Sequence, residues 1–284
     1  MFGGAERIRD LLIDSHTQSP KAHSGDLHLF LRTLRYRLAG LGLPTTPNER
    51  RLLGFKGRHA GQRAFIIGNG PSLNLCDLSR LKNEITFGVN AIFLNREVMG
   101  FYPTYFVVED EFVAEDRAGE INEFRGPAKF FGNYVSYCIR DHPDVVWLNL
   151  RMNYGPYAGF PRFSRNAARM VWVGGTVAYV CLQLAHYMGF SEIYLIGFDH
   201  SYKIPSDAKI EGDGILSQSN DPNHFDSGYF GKGFRWHDPM VERMEHAFRR
   251  ARDVYEADGR RILNASVGGS LEVFDRVDYD SVFR

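Results

Sequence analysis

The residues from Arg63 to Ser72 have the types and spacing of a strand that runs into a phosphate-binding turn. The apolar residues Ala64–Ile67 are followed at once by Gly68, Asn69, Gly70, Pro71 and Ser72. Glycine lets a backbone approach a ligand closely and proline suits the first position of a helix, so the amides of Ser72 and Leu73 are expected to face an anion. Neither a Walker loop nor a complete GxGxxG motif is present. An ordinary strand-to-helix turn would explain the same residues.

Polar residues also come directly after other apolar runs of the sequence. Asn90 follows Thr86–Val89, and further polar groups follow Tyr105–Val108 and Glu192–Ile196. The members of these two groups are Glu109, Asp110, Glu111, Asp199, His200, Ser201 and Tyr202. Ligands of an open parallel sheet bind beyond the carboxyl ends of its strands, so these residues are expected to line one cleft. Asn90 suits a hydrogen bond to a ribose or a base edge, although asparagine is also a common turn residue.

Two of these groups allow more than one chemical interpretation. Glu109 and Asp110 could hold a magnesium ion that bridges phosphates, but acidic residues also favour the start of a helix. Asp199 and His200 could form a catalytic pair, and Asp199 could equally cap the next turn.

The polar segment NHFDSGYFGKGFRWHDP concentrates side chains that could carry catalysis. It contains His224, Tyr229, Lys232, Arg235 and His237. A histidine can take the proton of an acceptor hydroxyl, and tyrosine, lysine or arginine can stabilise the charge on a departing phosphate. In the alternative interpretation, His237 with the following Asp238 and Pro239 begins the last long helix.

The elements that must position these residues alternate between short apolar runs and helical stretches. This pattern predicts an α/β, Rossmann-like fold with a mostly parallel sheet and helices on both faces. The predicted helices are Thr176–Met188, opened by Gly174 and Gly175 and closed by Gly189, and Met240–Ala257. The predicted strands are Ala64–Gly68, Ile85–Val89, Tyr105–Val108, Ala128–Phe131, Val145–Leu150, Glu192–Ile196 and Arg261–Leu263. The segment from about 200 to 237 is predicted to be a lid or a disordered loop.

Residues 1–60 differ in character and are predicted to form a helical extension of a domain that covers 61–284. A helix is indicated by Leu27, Leu31, Leu34, Leu38 and Leu41, spaced by three and four residues. In one interpretation this leucine stripe packs on the main domain or on a second subunit. In the other, the stripe and the nearby arginines form a surface for a lipid-linked or polyanionic acceptor, with peripheral membrane contact.

Composition narrows the choice of partners and compartment. Lys plus Arg and Asp plus Glu both number 34, so no overall field favours nucleic acid or an anionic membrane, and a charged partner must be met locally. Cys76, Cys138 and Cys181 form neither a CxxC motif nor an even framework, which suits buried thiols in a reducing compartment. The sequence shows no signal peptide and no run of the ~18 apolar residues that a membrane span needs. These observations favour a cytoplasmic location, in one version at the inner face of the membrane.

The ordered motifs resemble two related groups, the 6-hydroxymethylpterin pyrophosphokinase MptE-like proteins and, more distantly, the family-42 bacterial sialyltransferases. The resemblance covers most of residues 63–270. It depends on GNGPSL with SRLKNEITFGVNAIF, on GGTVAYVCLQLAHYMGFSEIYLIGFDHSY, and on NHFDSGYFGKG.

The sialyltransferase resemblance implies a Rossmann-like domain with a lid and metal-independent, inverting transfer from a CMP-activated sugar. It implies that Asn69 and Asn90 contact the nucleotide, that Thr176 helps to hold the cytidine and that Tyr229 lies near the leaving phosphate. The family's lid histidine aligns with Lys232, which leaves His224 or His237 as the base. Other departures are Glu109 at the family's third-strand asparagine and Ser201, next to Tyr202, at its tyrosine.

The MptE-like resemblance implies instead an enzyme that uses ATP and magnesium and transfers a diphosphate to a pterin alcohol. Its metal ligands would be Glu109 and Asp110.

The favoured prediction is a glycosyltransferase that needs no cofactor and transfers a sugar from a nucleotide sugar to a glycan or lipid-linked acceptor of the cell surface. Gly175 and Gly197 complete the predicted nucleotide-binding set. A nonenzymatic nucleotide-binding protein, monomeric or homo-oligomeric, is the third alternative.

Overall fold

The computed structural model describes residues 26–151, 161–212 and 214–284. The elements of the first part are α1 (Asp26–Gly40), α2 (Pro47–Gly54), β1 (Arg63–Ile67), β2 (Thr86–Val89), α3 (Arg96–Met99), β3 (Tyr105–Val108), α4 (Glu111–Asp116), α5 (Ala118–Glu123), β4 (Ala128–Gly132), β5 (Val145–Leu148) and β6 (Leu150–Arg151). The elements that follow are β7 (Val171–Trp172), α6 (Val177–Met188), β8 (Glu192–Ile196), β9 (Lys209–Glu211), β10 (Gly214–Leu216), β11 (Arg235–His237), α7 (Val241–Ala257), β12 (Arg261–Asn264) and β13 (Asp275–Arg276).

Eight strands form one central parallel sheet, in the order β13-β12-β8-β1-β2-β3-β4-β5. The chain leaves β1 toward β2 on one side and later returns to β8 on the other. The carboxyl end of β1 is therefore a topological switch point, the place where open α/β sheets bind ligands. Ile67 of β1 lies between Gly88 of β2 and Ile196 of β8, so the residues after β1 and β8 emerge side by side.

The Rossmann-like α/β fold predicted from the sequence is confirmed. All seven predicted strands are present, although Val145–Leu150 is divided between β5 and β6. Buried strands of a parallel sheet are covered on both faces, so they read as continuous apolar runs that the sequence reveals directly. Strands β7, β9 to β11 and β13 were not predicted, because they have only two or three residues each.

Helix α6 lies in the core, as its sequence predicted. All twelve of its residues are buried. The side chain of Thr176 caps its N-terminus by accepting a hydrogen bond from the amide of Ala178, and Gly189 ends it with a left-handed φ of 92°.

Helices α1 and α2 pack on the main domain, but not through the leucine stripe. Thr33, Tyr36 and Ala39 of α1 are buried, and the Tyr36 hydroxyl donates to the carbonyl of Trp147. Leu27, Leu31, Leu34 and Leu41 are exposed. The prediction that the stripe packs on the main domain is therefore wrong, since a different face of the same helix makes that contact.

The segment between Phe198 and Trp236 is ordered within its described residues, so the alternative of a disordered loop is wrong. Strands β9, β10 and β11 form an antiparallel sheet inside it. Arg235 makes ion pairs with Glu115 and Asp116 of α4. Buried Arg117 donates to the carbonyls of Gly228 and Tyr229 at 3.0 and 2.6 Å. These contacts fix the segment as a wall of the cleft described below, which we call the loop wall (residues 217–237).

The three cysteines are free thiols. Cys181 is buried as expected, whereas Cys76 and Cys138 are half-buried. Burial, with a smaller contribution from Asp280 and Asp199, raises the pKa of Cys76 to about 11. In the part of the chain that the structure describes, no helix is long and apolar enough to span a membrane.

Candidate active site

A polar cleft opens at the carboxyl ends of β1, β2, β3 and β8, between the loop wall and the start of α7. It brings together most of the residues that the sequence singled out. Those that line it are Gly68, Asn69, Gly70, Asn90, Glu109, Asp110, Gly175, Thr176, Gly197, Asp199, His200, Ser201, Tyr202, His224, Tyr229 and His237. Pro71, Ser72 and Lys232 are outside this lining, and Lys232 is exposed. The predicted role of Lys232 at the leaving phosphate does not fit this position.

The glycine turn after β1 is closed by hydrogen bonds within the protein. The amides of Gly68 and Gly70 donate to the carbonyls of Ile196 and Gly197 at 2.8 and 2.9 Å. A side chain at Gly68 would place its Cβ 2.5 Å from the carbonyl oxygen of Gly197. Gly68 therefore lets the ends of β1 and β8 pack together, which is a structural role.

A carboxylate of the protein occupies the expected anion position of this turn. Asp199 Oδ2 accepts hydrogen bonds from the Ser72 hydroxyl at 2.8 Å and from the Ser72 amide at 3.2 Å. A Cβ at Gly70 would lie 1.8 Å from the same oxygen, so Gly70 leaves room for Asp199. The amide of Leu73 donates to the carbonyl of Gly70 in a short 3-10 helix. The expectation that these amides face a ligand phosphate is therefore wrong for this structure.

Asp199 and His200 do not form a pair. His200 has a left-handed φ of 54°, unusual for a residue other than glycine. Its Nε2 lies 3.6 Å from Oε1 of Glu245, and its ring packs on Phe248 of α7. Burial lowers the pKa of His200, and Glu245 opposes that shift in part. The catalytic Asp199–His200 arrangement is replaced by two side chains that point to different partners.

Asn69 and Asn90 line the cleft, and the side chain of each contacts the hydroxyl of Tyr229. Asn69 Nδ2 donates to the carbonyl of Val89 and to the hydroxyl of Tyr229, at 3.0 and 2.9 Å. Because the amide nitrogen must face that carbonyl, the position of Asn69 Oδ1 is fixed as well. Both Asn69 Oδ1 and Asn90 Oδ1 are buried and accept no hydrogen bond within the described part of the chain. A buried acceptor without a donor costs about 1–3 kcal/mol, so a ligand donor at these atoms would be favourable.

Tyr229 supports Asn69 from below the cleft surface. Its side chain is fully buried, and its hydroxyl accepts from Asn69 Nδ2 and from the amide of Ala91. Burial raises the pKa of Tyr229 well above its ordinary value, which keeps the hydroxyl neutral. This position fits the support of Asn69 better than direct contact with a leaving phosphate.

Half-buried His224 and buried Asp221 form a dyad in the loop wall. His224 Nδ1 lies 2.7 Å from Asp221 Oδ2, and the imidazole stacks on the ring of Tyr229 at a centroid distance of 4.0 Å. Among the described residues, His224 Nε2 has no hydrogen-bond partner, and His224 lines the cleft. A carboxylate at Nδ1 orients the ring and leaves Nε2 as the proton acceptor.

The charge of Asp221 is stabilised by its hydrogen bonds. Burial alone would raise its pKa, but the hydrogen bond and charge of His224 and the amides of Asn223 and Phe230 outweigh that effect and lower the pKa. Asp221 is therefore ionised at neutral pH and can stabilise a protonated His224. Asp221 was not predicted from the sequence, although its spacing of three residues from His224 in a polar loop was a signal for it.

His237, at the end of the loop wall, and Asp110 form a second pair that lines the cleft. His237 Nδ1 lies 3.1 Å from Asp110 Oδ2, and the imidazole stacks on Phe112 at 4.2 Å. The other oxygen of Asp110 caps α4 by accepting from the amides of Phe112 and Val113. His237 belongs to β11, and no side chain caps α7, so the alternative role of His237 in starting that helix is wrong.

Metal-binding groups are sparse in the cleft. Glu109 and Asp110 both line it, but Asp110 already uses both carboxylate oxygens. Within residues 26–151, 161–212 and 214–284, no three His, Cys, Asp or Glu side chains come together as a metal-ligand group. A magnesium ion would need most of its ligands from phosphates and water, as is common for this ion.

The electrostatic character of the cleft is acidic. Among the described residues that line it, none is lysine or arginine, whereas Glu109, Asp110, Asp199 and Asp238 are carboxylates. Tyr202 also lines the cleft and is 37% exposed. The positive end of α6 reaches the cleft at Thr176 and Val177. The surface is thus rich in acceptors and suits a ligand with many hydroxyl groups.

The fold and the cleft define a Rossmann-like α/β protein with a ligand site at the carboxyl edge of its sheet. The model of the 6-hydroxymethylpterin diphosphokinase MptE-like family matches residues 43–205, more than half of the chain. The chain belongs to this family, which confirms the MptE-like resemblance. The match starts before residue 63, where the sequence placed its beginning, and it ends before the loop wall.

Two solved structures show a more distant likeness. The MAf glycosyltransferase from Magnetospirillum magneticum AMB-1 is 17% identical, with a TM-score of 0.48 over 98% of this chain and 47% of that chain. This chain thus spans about half the length of that protein. A mammalian sialyltransferase in complex with Gal-beta-1-3GalNAc-ortho-nitrophenol is 11% identical, with a TM-score of 0.30 over 92% of each chain. At these TM-scores neither likeness bears on function. No curated protein matches the chain.

Proposed function

We propose that this protein is a transferase that moves a glycosyl group from a nucleotide sugar to an acceptor hydroxyl, with His224 as the general base. The observation that carries the proposal is the Asp221–His224 dyad, whose Nδ1–Oδ2 contact of 2.7 Å leaves Nε2 available beside the cleft. Asp221 holds the imidazole in one tautomer and stabilises the charge that the imidazole gains.

In the proposed step, His224 Nε2 takes the proton of the acceptor hydroxyl while the acceptor oxygen attacks the anomeric carbon. A carbon–oxygen bond forms to the acceptor, and the bond from the anomeric carbon to the phosphate oxygen breaks. The electron pair leaves with the nucleotide. Tyr202, His237 and the N-terminal end of α6 are the groups of the cleft that suit the departing phosphate.

The acceptor-rich lining supports a sugar donor. Sugar and ribose hydroxyls donate hydrogen bonds, and Asn69 Oδ1 and Asn90 Oδ1 are buried acceptors at the floor of the cleft. The closed glycine turn offers no free amide cradle for a chain of phosphates. A donor with few phosphate charges therefore fits this cleft better than a nucleoside triphosphate without a counterion.

A second candidate is the transfer of a diphosphate from ATP. Membership of the MptE-like family and the position of Glu109 beside Asp110 at the cleft favour it. In this reaction a magnesium ion would neutralise the phosphates, and Glu109 would be its first protein ligand.

Calorimetric titration with CMP, CDP, UDP, GDP and ATP, each with and without magnesium, separates these proposals. We expect one sugar-donor nucleotide to bind without metal. We then expect wild-type protein to release that nucleotide from the corresponding nucleotide sugar. Binding of ATP alone, dependent on magnesium and lost in Glu109→Gln, would favour diphosphate transfer. Tight binding without turnover of any donor would favour a nonenzymatic nucleotide-binding protein.

A cytoplasmic location and a role in surface glycan assembly remain part of the proposal.

A further inference from the structure

Helix α1 carries apolar side chains on two opposite faces. Thr33, Tyr36 and Ala39 are buried against the domain. The other apolar face, which we call the outer stripe, is exposed by 71% at Leu27, 38% at Phe30, 48% at Leu31, 42% at Leu34 and 78% at Leu41. An α-helix turns by about 100° per residue, so spacings of three and four place these side chains on one side, opposite Tyr36.

The segment that carries the outer stripe is basic, and two of its arginines border the stripe. Between residues 26 and 63 the chain has eight Lys or Arg residues and two Asp or Glu residues, although the whole chain is balanced at 34 of each. Arg35 and Arg37 follow Leu34 on the two flanks of the stripe, and 41% of the Arg35 side chain is exposed even though it pairs with Glu49. The segment that carries the exposed leucines is therefore more basic than the chain as a whole.

We propose that the outer stripe is a docking surface for a membrane that contains anionic lipids. A helix with an apolar face bordered by arginines lies in the plane of a bilayer, with its leucines at the boundary between headgroups and acyl chains and its cations among the headgroups. Contiguous apolar surface of this kind marks an interaction site. The proposal is independent of the chemistry in the cleft.

Charge decides between a membrane and a second copy of the chain. A two-fold pairing of two outer stripes brings identical surfaces together, so the basic flanks of one helix would face those of the other. That arrangement is opposed by the excess of positive charge in this segment, whereas anionic headgroups attract that excess. The surface is thus complementary to an anionic bilayer and not to itself.

The test is co-sedimentation of the full chain with vesicles of phosphatidylcholine alone and of phosphatidylcholine with about one third phosphatidylglycerol. The test variant is Leu31→Glu/Leu34→Glu. The control variant is Val98→Glu/Ile210→Glu, which adds the same charge at residues that are 75% and 64% exposed elsewhere on the surface. Thermal unfolding of both variants checks the fold, and it should match wild type because all four side chains are exposed.

We expect wild type and the control to bind the anionic vesicles at least about tenfold more strongly than the neutral ones, and the stripe variant to lose at least about tenfold in partitioning. Equal binding to both vesicle types, no binding at all, or equal loss in both variants would overturn the proposal. Light scattering adds a further check. A mass of about twice 32.4 kDa that falls to the monomer only in the stripe variant would assign the stripe to a second copy and would also overturn it.

Discussion

Two regions that line the cleft use similar residue types to opposite effect. One is the turn after β1 with Asp199, and the other is the loop wall. At the ends of β1 and β8, the segment Gly68–Ser72 and Asp199 satisfy one another, since Asp199 Oδ2 accepts from the amide and the hydroxyl of Ser72. In the loop wall, Asp221 is satisfied by His224 and by two amides, but His224 Nε2 is left for the cleft. Asp199 thus occupies the anion position of the turn, whereas Asp221 orients the proposed base His224.

This difference shows why a turn rich in glycine is weak evidence for phosphate binding. Gly68 and Gly70 are needed because the Gly197 carbonyl and the Asp199 carboxylate approach their Cα atoms closely, and neither contact involves a ligand. An orphaned side-chain atom that faces a cleft is stronger evidence, because the protein itself offers that atom no partner.

The largest effect is expected when the proposed base of the loop wall is removed. His224→Ala should lower the rate of donor turnover by about 10²- to 10⁴-fold, the usual contribution of a general base. The variant should still bind the nucleotide. The matched control is His246→Ala, an exposed histidine of α7, which should keep the wild-type rate. Steady-state release of nucleotide measures both, and a fully active His224→Ala protein would exclude the base assignment.

A smaller effect is expected when the contact between Asp199 and the glycine turn is disrupted. Gly70→Ala places a Cβ 1.8 Å from Asp199 Oδ2, so the carboxylate must leave Ser72. Together with the lost hydrogen bonds, this should lower the free energy of unfolding by about 2–4 kcal/mol. Gly119→Ala, where a Cβ meets open space within helix α5, should be neutral or stabilising by up to about 1 kcal/mol. Urea denaturation compares the two, and equal stabilities would refute the internal closure.

Tyr229 of the loop wall accepts a hydrogen bond from Asn69 of the glycine turn, and a substitution at Tyr229 removes this link. Tyr229→Phe removes the oxygen that accepts from Asn69 Nδ2 and from the amide of Ala91. We expect a loss of about 1–2 kcal/mol in the free energy of unfolding and weaker nucleotide binding, because the amide group of Asn69 is no longer held. Tyr102→Phe, at a tyrosine that is 42% exposed, is the control and should change neither quantity.

The smallest effect concerns acid. The pKa of Asp221 is lower in the folded protein than its unfolded value of about 3.9, so its contribution to stability is complete above that pH. The contribution is lost as the pH falls from about 4 through the folded pKa. Wild type should therefore lose more stability than Asp221→Asn between pH 6 and pH 3. Chemical denaturation at the two pH values measures this, and parallel losses would show that Asp221 does not titrate as described.

The sheet and the membership of the cleft could be predicted from the sequence because both depend on continuous apolar runs. Parallel strands such as Tyr105–Val108 and Glu192–Ile196 are buried on both faces, and topology then places the residues after them at one edge. Asn69 and Asn90 were found in this way, whereas His224 was found from the concentration of polar side chains in the segment NHFDSGYFGKGFRWHDP.

Hydrogen-bond partners could not be predicted, because they depend on side-chain directions and long-range contacts. Asp199 and Ser72 are 127 residues apart, and Asn69 and Tyr229 are 160 residues apart. No local pattern shows that Asp199 closes the turn or that His200 points to Glu245. The choice between the two interpretations of the leucine stripe was left open for a related reason, since periodicity identifies an apolar face but not the surface that covers it.

The most direct test of the central claim is chemical rescue of His224→Ala by added imidazole. His224 lines the cleft and stacks on Tyr229, so its removal leaves a slot of the right shape beside Asp221. If the imidazole of His224 is the base, turnover of the donor identified by titration should rise with imidazole concentration and saturate in this variant, while wild type stays unchanged. Turnover that is lost in His224→Ala and is not restored by imidazole would contradict the claim.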